Sequence, residues 1–246
     1  MKILFLTGVW MLSFICGISA QDADIANDYL SPAFHASRRD SARARMPANS
    51  VMVVFAFPTR NFSNDVDYVY HANPDLYYFT GYKEPHSVLF LFKEDQKGIN
   101  GSNYNELLFV QERNERAEQW TGKRLGVEGV KRQLKISQVF NGKEFRIHQQ
   151  DFAGFESVIM DRLPLADPAG DRDSADLYNL VKQFSAKAGL QQAENKRVDF
   201  QLYRKITGAL REIKTDEEMA LLRKAIEISC IGQAEVMKAI RPEMSE

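Results

Sequence analysis

Short, dense apolar runs alternate along this chain with longer stretches in which apolar residues recur at helical spacing. Val51-Met52-Val53-Val54-Phe55-Ala56-Phe57, closed by Pro58, is brief, β-branched and aromatic, so Ser50 to Phe57 predicts a buried strand. Ser87 to Phe92 and Glu106 to Val110 read the same way, and the Gly/Asn-rich Lys93 to Asn105 predicts a long hairpin connection between them. Helices are expected at Ser31 to Ala44, with Pro32 tolerated in the first turn, at Gly126 to Leu134, at Lys143 to Phe152 and at Leu177 to Ala188. Ser157 to Met160 predicts another strand, and Leu163 to Asp173, with Pro164, Pro168 and Gly170, a loop. Strands and helices interleave, which points to an α/β layered domain. Arg38, Arg39, Arg43 and Arg45 are expected on a solvated helix face.

The last helix has the clearest pattern. Thr215-Asp216-Glu217-Glu218 is a capping box, in which Thr215 accepts from the N3 amide and Glu218 reaches back. Met219, Leu222 and Ile226 form one apolar row, and Leu221, Ala225, Ile228, Gly232 and Val236 flank it until Arg241-Pro242 stops the helix. About 25 residues at 1.5 Å each give roughly 37 Å of helix, which needs a surface to pack on. The expectation is that a second domain starts here and that the chain is truncated at Glu246.

At the other end, Lys2, the apolar Ile3 to Ile18 and the small-residue site Ile18-Ser19-Ala20 have the three-part layout of a signal peptide, residues 1–20. The apolar stretch of about 14–16 residues is short for a membrane span, which needs roughly 20. A secreted or periplasmic protein is expected, with no stable membrane anchor after cleavage. Cleavage would remove Cys16 and leave Cys230 alone, so no internal disulfide is expected; within its helix Cys230 reads as a buried, inert thiol. Asn61-Phe62-Ser63 and Asn100-Gly101-Ser102 match the glycosylation triplet, which matters only in a eukaryotic host.

Composition narrows the classes. With 32 Lys plus Arg against 33 Asp plus Glu the formal net charge is −1, which disfavours a nucleic-acid binder led by phosphate contacts. A hydrophobic share of 44 % argues against disorder, and a mean hydropathy of −0.37 against a polytopic membrane protein. The 246 residues allow one large domain, or one domain and part of another.

Complete catalytic constellations are missing from the sequence pattern. His35, His71, His86 and His148 have no paired ligand spacing, and each reads as a surface or hydrogen-bonded structural histidine. No Cys pair could hold zinc, no Gly-x-Ser-x-Gly elbow occurs, and Thr121 to Gly126 is too poor in glycine to cradle phosphate. Asp65/Asp67 and Glu217/Glu218 read as loop and cap carboxylates. No catalytic or metal residue is therefore assigned within this chain. Two segments stand out: Asp67 to Pro85, rich in Tyr and containing Asn73-Pro74-Asp75 and Thr80-Gly81-Tyr82-Lys83-Glu84-Pro85, and Arg113 to Gly126, containing Trp120-Thr121-Gly122-Lys123-Arg124-Leu125-Gly126. Taken plainly, the first is a core aromatic cluster (Tyr68, Tyr70, Tyr77, Tyr78, Phe79, Tyr82) closed by a turn, and Trp120 is a half-buried anchor.

In this order the two segments resemble the N-terminal domain of the aminopeptidase P, or Xaa-Pro aminopeptidase, family. Leu210 to Glu218 and Ile240-Arg241-Pro242-Glu243-Met244 resemble the linker and first helix of that family's catalytic domain, so the likeness runs from about Ser31 to Glu246. The resemblance implies an N-terminal α/β domain with a mixed sheet over residues 21–209, then the truncated start of a pita-bread metallopeptidase domain over residues 210–246. It further implies two divalent metals, usually manganese, held by two Asp, one His and two Glu in the catalytic domain. A metal-activated hydroxide would attack the bond before proline. None of the five ligands falls within this chain, which alone is expected to be inactive. Trp120 matches a position whose side chain reaches a neighbouring subunit's site in family oligomers, which implies a substrate-binding role and a homo-oligomer acting on proline-containing peptides. One departure is His71-Ala72, where the family has Arg-Gln. Two alternatives stay open: an Xaa-Pro dipeptidase, and a non-catalytic peptide- or partner-binding module of the same fold.

Overall fold

The computed structural model describes residues 30–64, 66–98, 101–163, 175–190 and 196–244. The leader, Asn100 and nearly all of the Pro-rich 163–173 loop lie outside the described residues. In chain order the elements are α1 (Pro32–Arg45), β1 (Ser50–Phe55), β2 (Asn61–Ser63), β3 (Val66–Asp67), α2 (Pro74–Thr80), β4 (Val88–Lys97), β5 (Asn103–Val110), α3 (Glu115–Thr121) and α4 (Gly126–Leu134). There follow β6 (Val139–Asn141), a 3-10 turn (Gly142–Arg146), β7 (Ser157–Met160), α5 (Leu177–Lys187), β8 (Val198–Asp199), α6 (Phe200–Glu212) and α7 (Asp216–Ala239).

The three apolar runs become the centre of a six-stranded mixed sheet, ordered β6-β5-β4-β1-β7-β8. β1 pairs antiparallel with β4, and β4 with β5, while the β1–β7, β7–β8 and β5–β6 pairs are parallel. Both faces are covered, which is why β1 and the first half of β4 are apolar without alternation. Side chains still alternate between faces. Val53 and Phe55 share one face with Phe90 and Phe109, where Phe145, Phe152 and Phe184 join them from the 3-10 turn, the loop after it and α5. The opposite face, carrying Leu91 and Glu106, is covered by α1.

Several expectations are corrected. Lys93 to Asn105 is not a long loop: β4 and β5 run on to Lys97 and Asn103, with a register shift between Leu91 and Gln96. The backbone ladder continues past the core, and the side chains there turn polar because that end of the hairpin meets solvent. Lys143 to Phe152 is not a helix beyond the 3-10 turn at Gly142–Arg146. Phe145 and Phe152 both enter the core seven residues apart, which mimics two helical turns. The arginine face is only partly solvated. Arg39 is 4 % exposed and grips Glu106 with two bonds, Nε to Oε2 at 2.7 Å and Nη2 to Oε1 at 3.1 Å. Its Nη1 donates to the Phe79 carbonyl at 2.8 Å, and Arg43 reaches the same carboxylate at 3.2 Å.

Helix α7 forms as expected, with both halves of its capping box made. No residue of it is buried, so Cys230 is exposed rather than buried. An apolar face alone does not bury a thiol; a packing partner is needed, and none of the described residues covers this one. The break between α6 and α7 falls at Ile213 and Lys214, with Leu210 buried inside α6. The first turn of α7 is tied to the start of α1, because Glu217 accepts from both the backbone N–H and the hydroxyl of Ser31.

His35 is a structural histidine on α1, buried, with Nδ1 at 2.9 Å from the Tyr78 carbonyl, to which it donates. Burial holds its pKa below the usual 6.5, and burial together with Lys187 does the same for His148. The unfolded chain therefore takes up these protons first as pH falls, so this part of the stability is present above the unfolded pKa and is lost below it. The melting temperature is expected to be lower at about pH 5.5 than at about pH 7.5. Thermal melts of His35→Phe should show a smaller difference between the two.

Candidate functional site

The Tyr-rich signature and the Trp-bearing signature are far apart in sequence but joined in space. In the first, Asn73 caps α2 by accepting from the Asp75 N–H at 2.8 Å, Pro74 opens the helix, and Gly81 ends it at φ +76. The segment is thus a short helix closed by a turn, and its aromatic residues enter the core only in part. Tyr78, Phe79 and Tyr82 are buried, while Tyr68 is exposed. Asp75 ties α2 to α6 by accepting from the Tyr203 hydroxyl at 2.8 Å and pairing with Arg211. The Arg211 guanidinium also lies 4.7 Å from the Tyr78 ring centre.

After the Gly81 turn, Glu84 is the joint between the two segments. Its Oε1 accepts from the Leu125 N–H at 2.7 Å, and its Oε2 accepts from the Tyr82 hydroxyl at 2.9 Å and from Gln111 Nε2 at 3.1 Å. Burial, and then the adjacent Glu84 carboxylate, push the Tyr82 hydroxyl pKa well above its ordinary value, so Tyr82 stays a donor. Burial likewise raises Tyr70 to about 12.

The Trp-bearing segment leaves the sheet after β5 and leads into α4, ahead of β6. Asn114 caps α3 by accepting from the Ala117 N–H at 3.0 Å, and Gly122 ends it at φ +83. Arg113 and Glu118 pair at 2.9 Å across the first turns, and that pairing holds the Glu118 carboxyl below its ordinary pKa. Gly126 sits at φ +61, where a Cβ would lie 2.7 Å from Arg113 Cγ. Only glycine allows that approach, so the two ends of 113–126 meet and the segment is a closed surface loop. Trp120 stands in the last turn of α3 and is 88 % exposed. It is not the half-buried anchor that composition suggested: α3 buries none of its residues.

The remaining candidates scatter. His71, at the family departure, is exposed; His86, at φ +55, accepts from the Leu177 N–H at 3.1 Å. A cleft of about 830 Å³ lined by Tyr104, Lys131, Gln138, His148 and Gln150 contains none of the signature residues. Among the described residues, no three His, Cys, Asp or Glu side chains gather closely enough to hold a metal ion. Sequence reasoning quoted Glu84 without giving it a role. Its signal is faint: one carboxylate between a Gly turn and a Pro.

Comparison with known proteins finds relatives over most of this chain. A family model, aminopeptidase P, N-terminal domain, matches residues 35–158. The Xaa-Pro aminopeptidase of Escherichia coli is 30 % identical over 222 residues, covering 85 % of this chain and 45 % of that protein. Intermediate cleaving peptidase 55 of Schizosaccharomyces pombe is 28 % identical over 215 residues, covering 82 % and 39 %. Among solved structures, E. coli aminopeptidase P in its low-pH form superposes with a TM-score of 0.67 at 28 % identity, covering 87 % of this chain and 46 % of that one. The same enzyme with the inhibitor Pro-Leu gives 0.67 at 27 %. The chain spans under half the length of these relatives.

Proposed function

Since this chain belongs to the aminopeptidase P family through its N-terminal domain, we propose that it is the N-terminal part of an exported Xaa-Pro aminopeptidase. The observation that supports this most is the E. coli aminopeptidase P superposition, which covers 87 % of the chain. The mixed sheet is that N-terminal domain, and α7 is the start of the catalytic domain. The division between the two is placed at residues 209/210, inside the last turn of α6 (Phe200–Glu212) and ahead of α7.

In this reading the substrates are peptides with proline second. The hydrolytic centre, with its two divalent ions, manganese by family resemblance, belongs to the catalytic domain, so this chain alone is inactive. What the chain supplies is a platform. Trp120, large, flat and exposed, is presented toward the active site of a neighbouring subunit in a homo-oligomer. A tryptophan in that place suits a proline-containing peptide, since a ring face and a proline ring bury apolar area with little loss of conformational freedom. Export follows from the residue 1–20 leader.

The assay uses the product of the complete reading frame with manganese, on a peptide of the form Xaa-Pro-Yaa and on the dipeptide Xaa-Pro. Release of the first residue from the longer peptide is expected. Cleavage of the dipeptide alone would favour a dipeptidase, and cleavage of neither would remove the peptidase reading. Trp120→Ala should raise KM for the longer peptides about tenfold, the loss of roughly 1.4 kcal/mol of aromatic contact. Unchanged kinetics with unchanged assembly would remove the role of Trp120.

A further inference from the structure

Helix α3 carries the most exposed large apolar side chain among the described residues, yet none of the helix's residues is buried to hold it. Its position depends on contacts at the base of the 113–126 loop. At one end the Arg113 side chain packs against Gly126. At the other, the Leu125 N–H, five residues after Trp120, donates to Glu84 Oε1 at 2.7 Å. Glu84 is itself fixed by the Tyr82 hydroxyl at 2.9 Å and by Gln111 at 3.1 Å, and both of those residues are buried. Arg124 adds longer contacts, to the Glu112 carbonyl at 3.5 Å and to the Thr121 hydroxyl at 3.4 Å. The carboxylate thus connects the rigid floor of the domain to the return strand of the loop.

We propose that Glu84 is the positioning residue of the Trp120 loop, holding the indole in one orientation for its partner. The consequence for function rests on the reading of Trp120 given above; the positioning itself does not. A platform residue on a loosely held loop would lose its orientation among many conformers, and the entropy of ordering it would return at each binding event. Three hydrogen bonds to one carboxylate remove that freedom beforehand.

The sequence has two tryptophans, Trp10 and Trp120. In the 246-residue chain carrying Trp10→Phe, fluorescence reports Trp120 alone, and time-resolved anisotropy reads its nanosecond rotation. Glu84→Ala should raise the amplitude of that local rotation about twofold or more, with near-UV and far-UV circular dichroism unchanged. Glu84→Gln keeps its carbonyl oxygen as the acceptor for the Leu125 N–H, while its amide N–H donates to the Tyr82 hydroxyl and to Gln111 once that side-chain amide flips to present its oxygen, so it should restore the restricted signal. Tyr82→Phe removes one bond without touching the loop and should stay near the parent. Unchanged anisotropy in a folded Glu84→Ala overturns the proposal, as does Tyr82→Phe loosening Trp120 equally. If Glu84→Ala does not fold, Leu125→Pro removes the donor at a residue whose φ of −69° already suits proline. Its anisotropy then decides: a loosened Trp120 supports the proposal and an unchanged one overturns it. Should Trp120→Ala leave the complete protein's kinetics unchanged, the reading of Trp120 fails and the anisotropy result still stands.

Discussion

Replacing Glu106 by alanine should destabilise the fold by about 3–5 kcal/mol, the range for removing one partner of a buried ion pair. Arg39 is 4 % exposed and Arg43 is partly buried, and both direct guanidinium groups at this one carboxylate. Its removal leaves one buried cation, Arg39, and one partly buried cation, Arg43, against an apolar sheet face. Arg39 would keep the Phe79 carbonyl, and Arg43 would keep Asp40, but neither contact offsets the lost charge. The cost comes from the stranded Arg39 cation more than from the bond itself. Arg39→Met with Glu106→Leu should therefore be more stable than Glu106→Ala alone, since apolar replacement of a whole buried pair is often neutral. Urea titrations of the three proteins, followed by circular dichroism, measure the difference. Equal midpoints for the parent and Glu106→Ala would show that the pair is not closed in solution.

Phe90→Ala should cost a similar amount, about 3–5 kcal/mol, for a different reason. The Phe90 ring is fully buried at the centre of the aromatic face. Its centroid lies 4.6 Å from Phe152, 5.5 Å from Phe145, 5.6 Å from Phe184 and 6.1 Å from Phe109. These partners come from the loop after the 3-10 turn, the turn itself, α5 and β5, so truncation opens a cavity where four segments meet. The surrounding rings are too rigid to close it, and the aromatic contacts are lost beyond the area term. Against a total stability of about 5–15 kcal/mol for an ordinary domain, denaturant curves should show a large shift of the midpoint. A shift no larger than that of an exposed substitution would contradict the packing described.

How much of this was legible in the sequence follows from the physics of each element. The strands at Ser50, Ser87, Glu106 and Ser157 were legible because both sheet faces are covered, which leaves unbroken apolar runs. Their far ends were not, since the outer β4–β5 ladder is held by backbone bonds that leave no trace in side-chain polarity. Helix α2 escaped because seven residues are too few for periodicity to accumulate, although Asn73-Pro74 and Gly81 were its cap and stop. The buried state of Arg39 escaped for the opposite reason: its partner, Glu106, lies 67 residues away on an element whose facing side was not decided. At the candidate site, the two signatures were visible as strings, but their junction through Glu84 is a fact of three-dimensional pairing. The exposure of Trp120 is another, because composition cannot separate a half-buried indole from an exposed one.

The most direct test of the central claim is to read the coding sequence onward from the Glu246 codon. If this chain is the N-terminal part of an Xaa-Pro aminopeptidase, the frame stays open for a second domain with two Asp, one His and two Glu in that order. The exposed apolar face of α7 then gains the partner its pattern calls for. A stop codon directly after Glu246 would contradict the account, leaving a family fold without a hydrolytic centre.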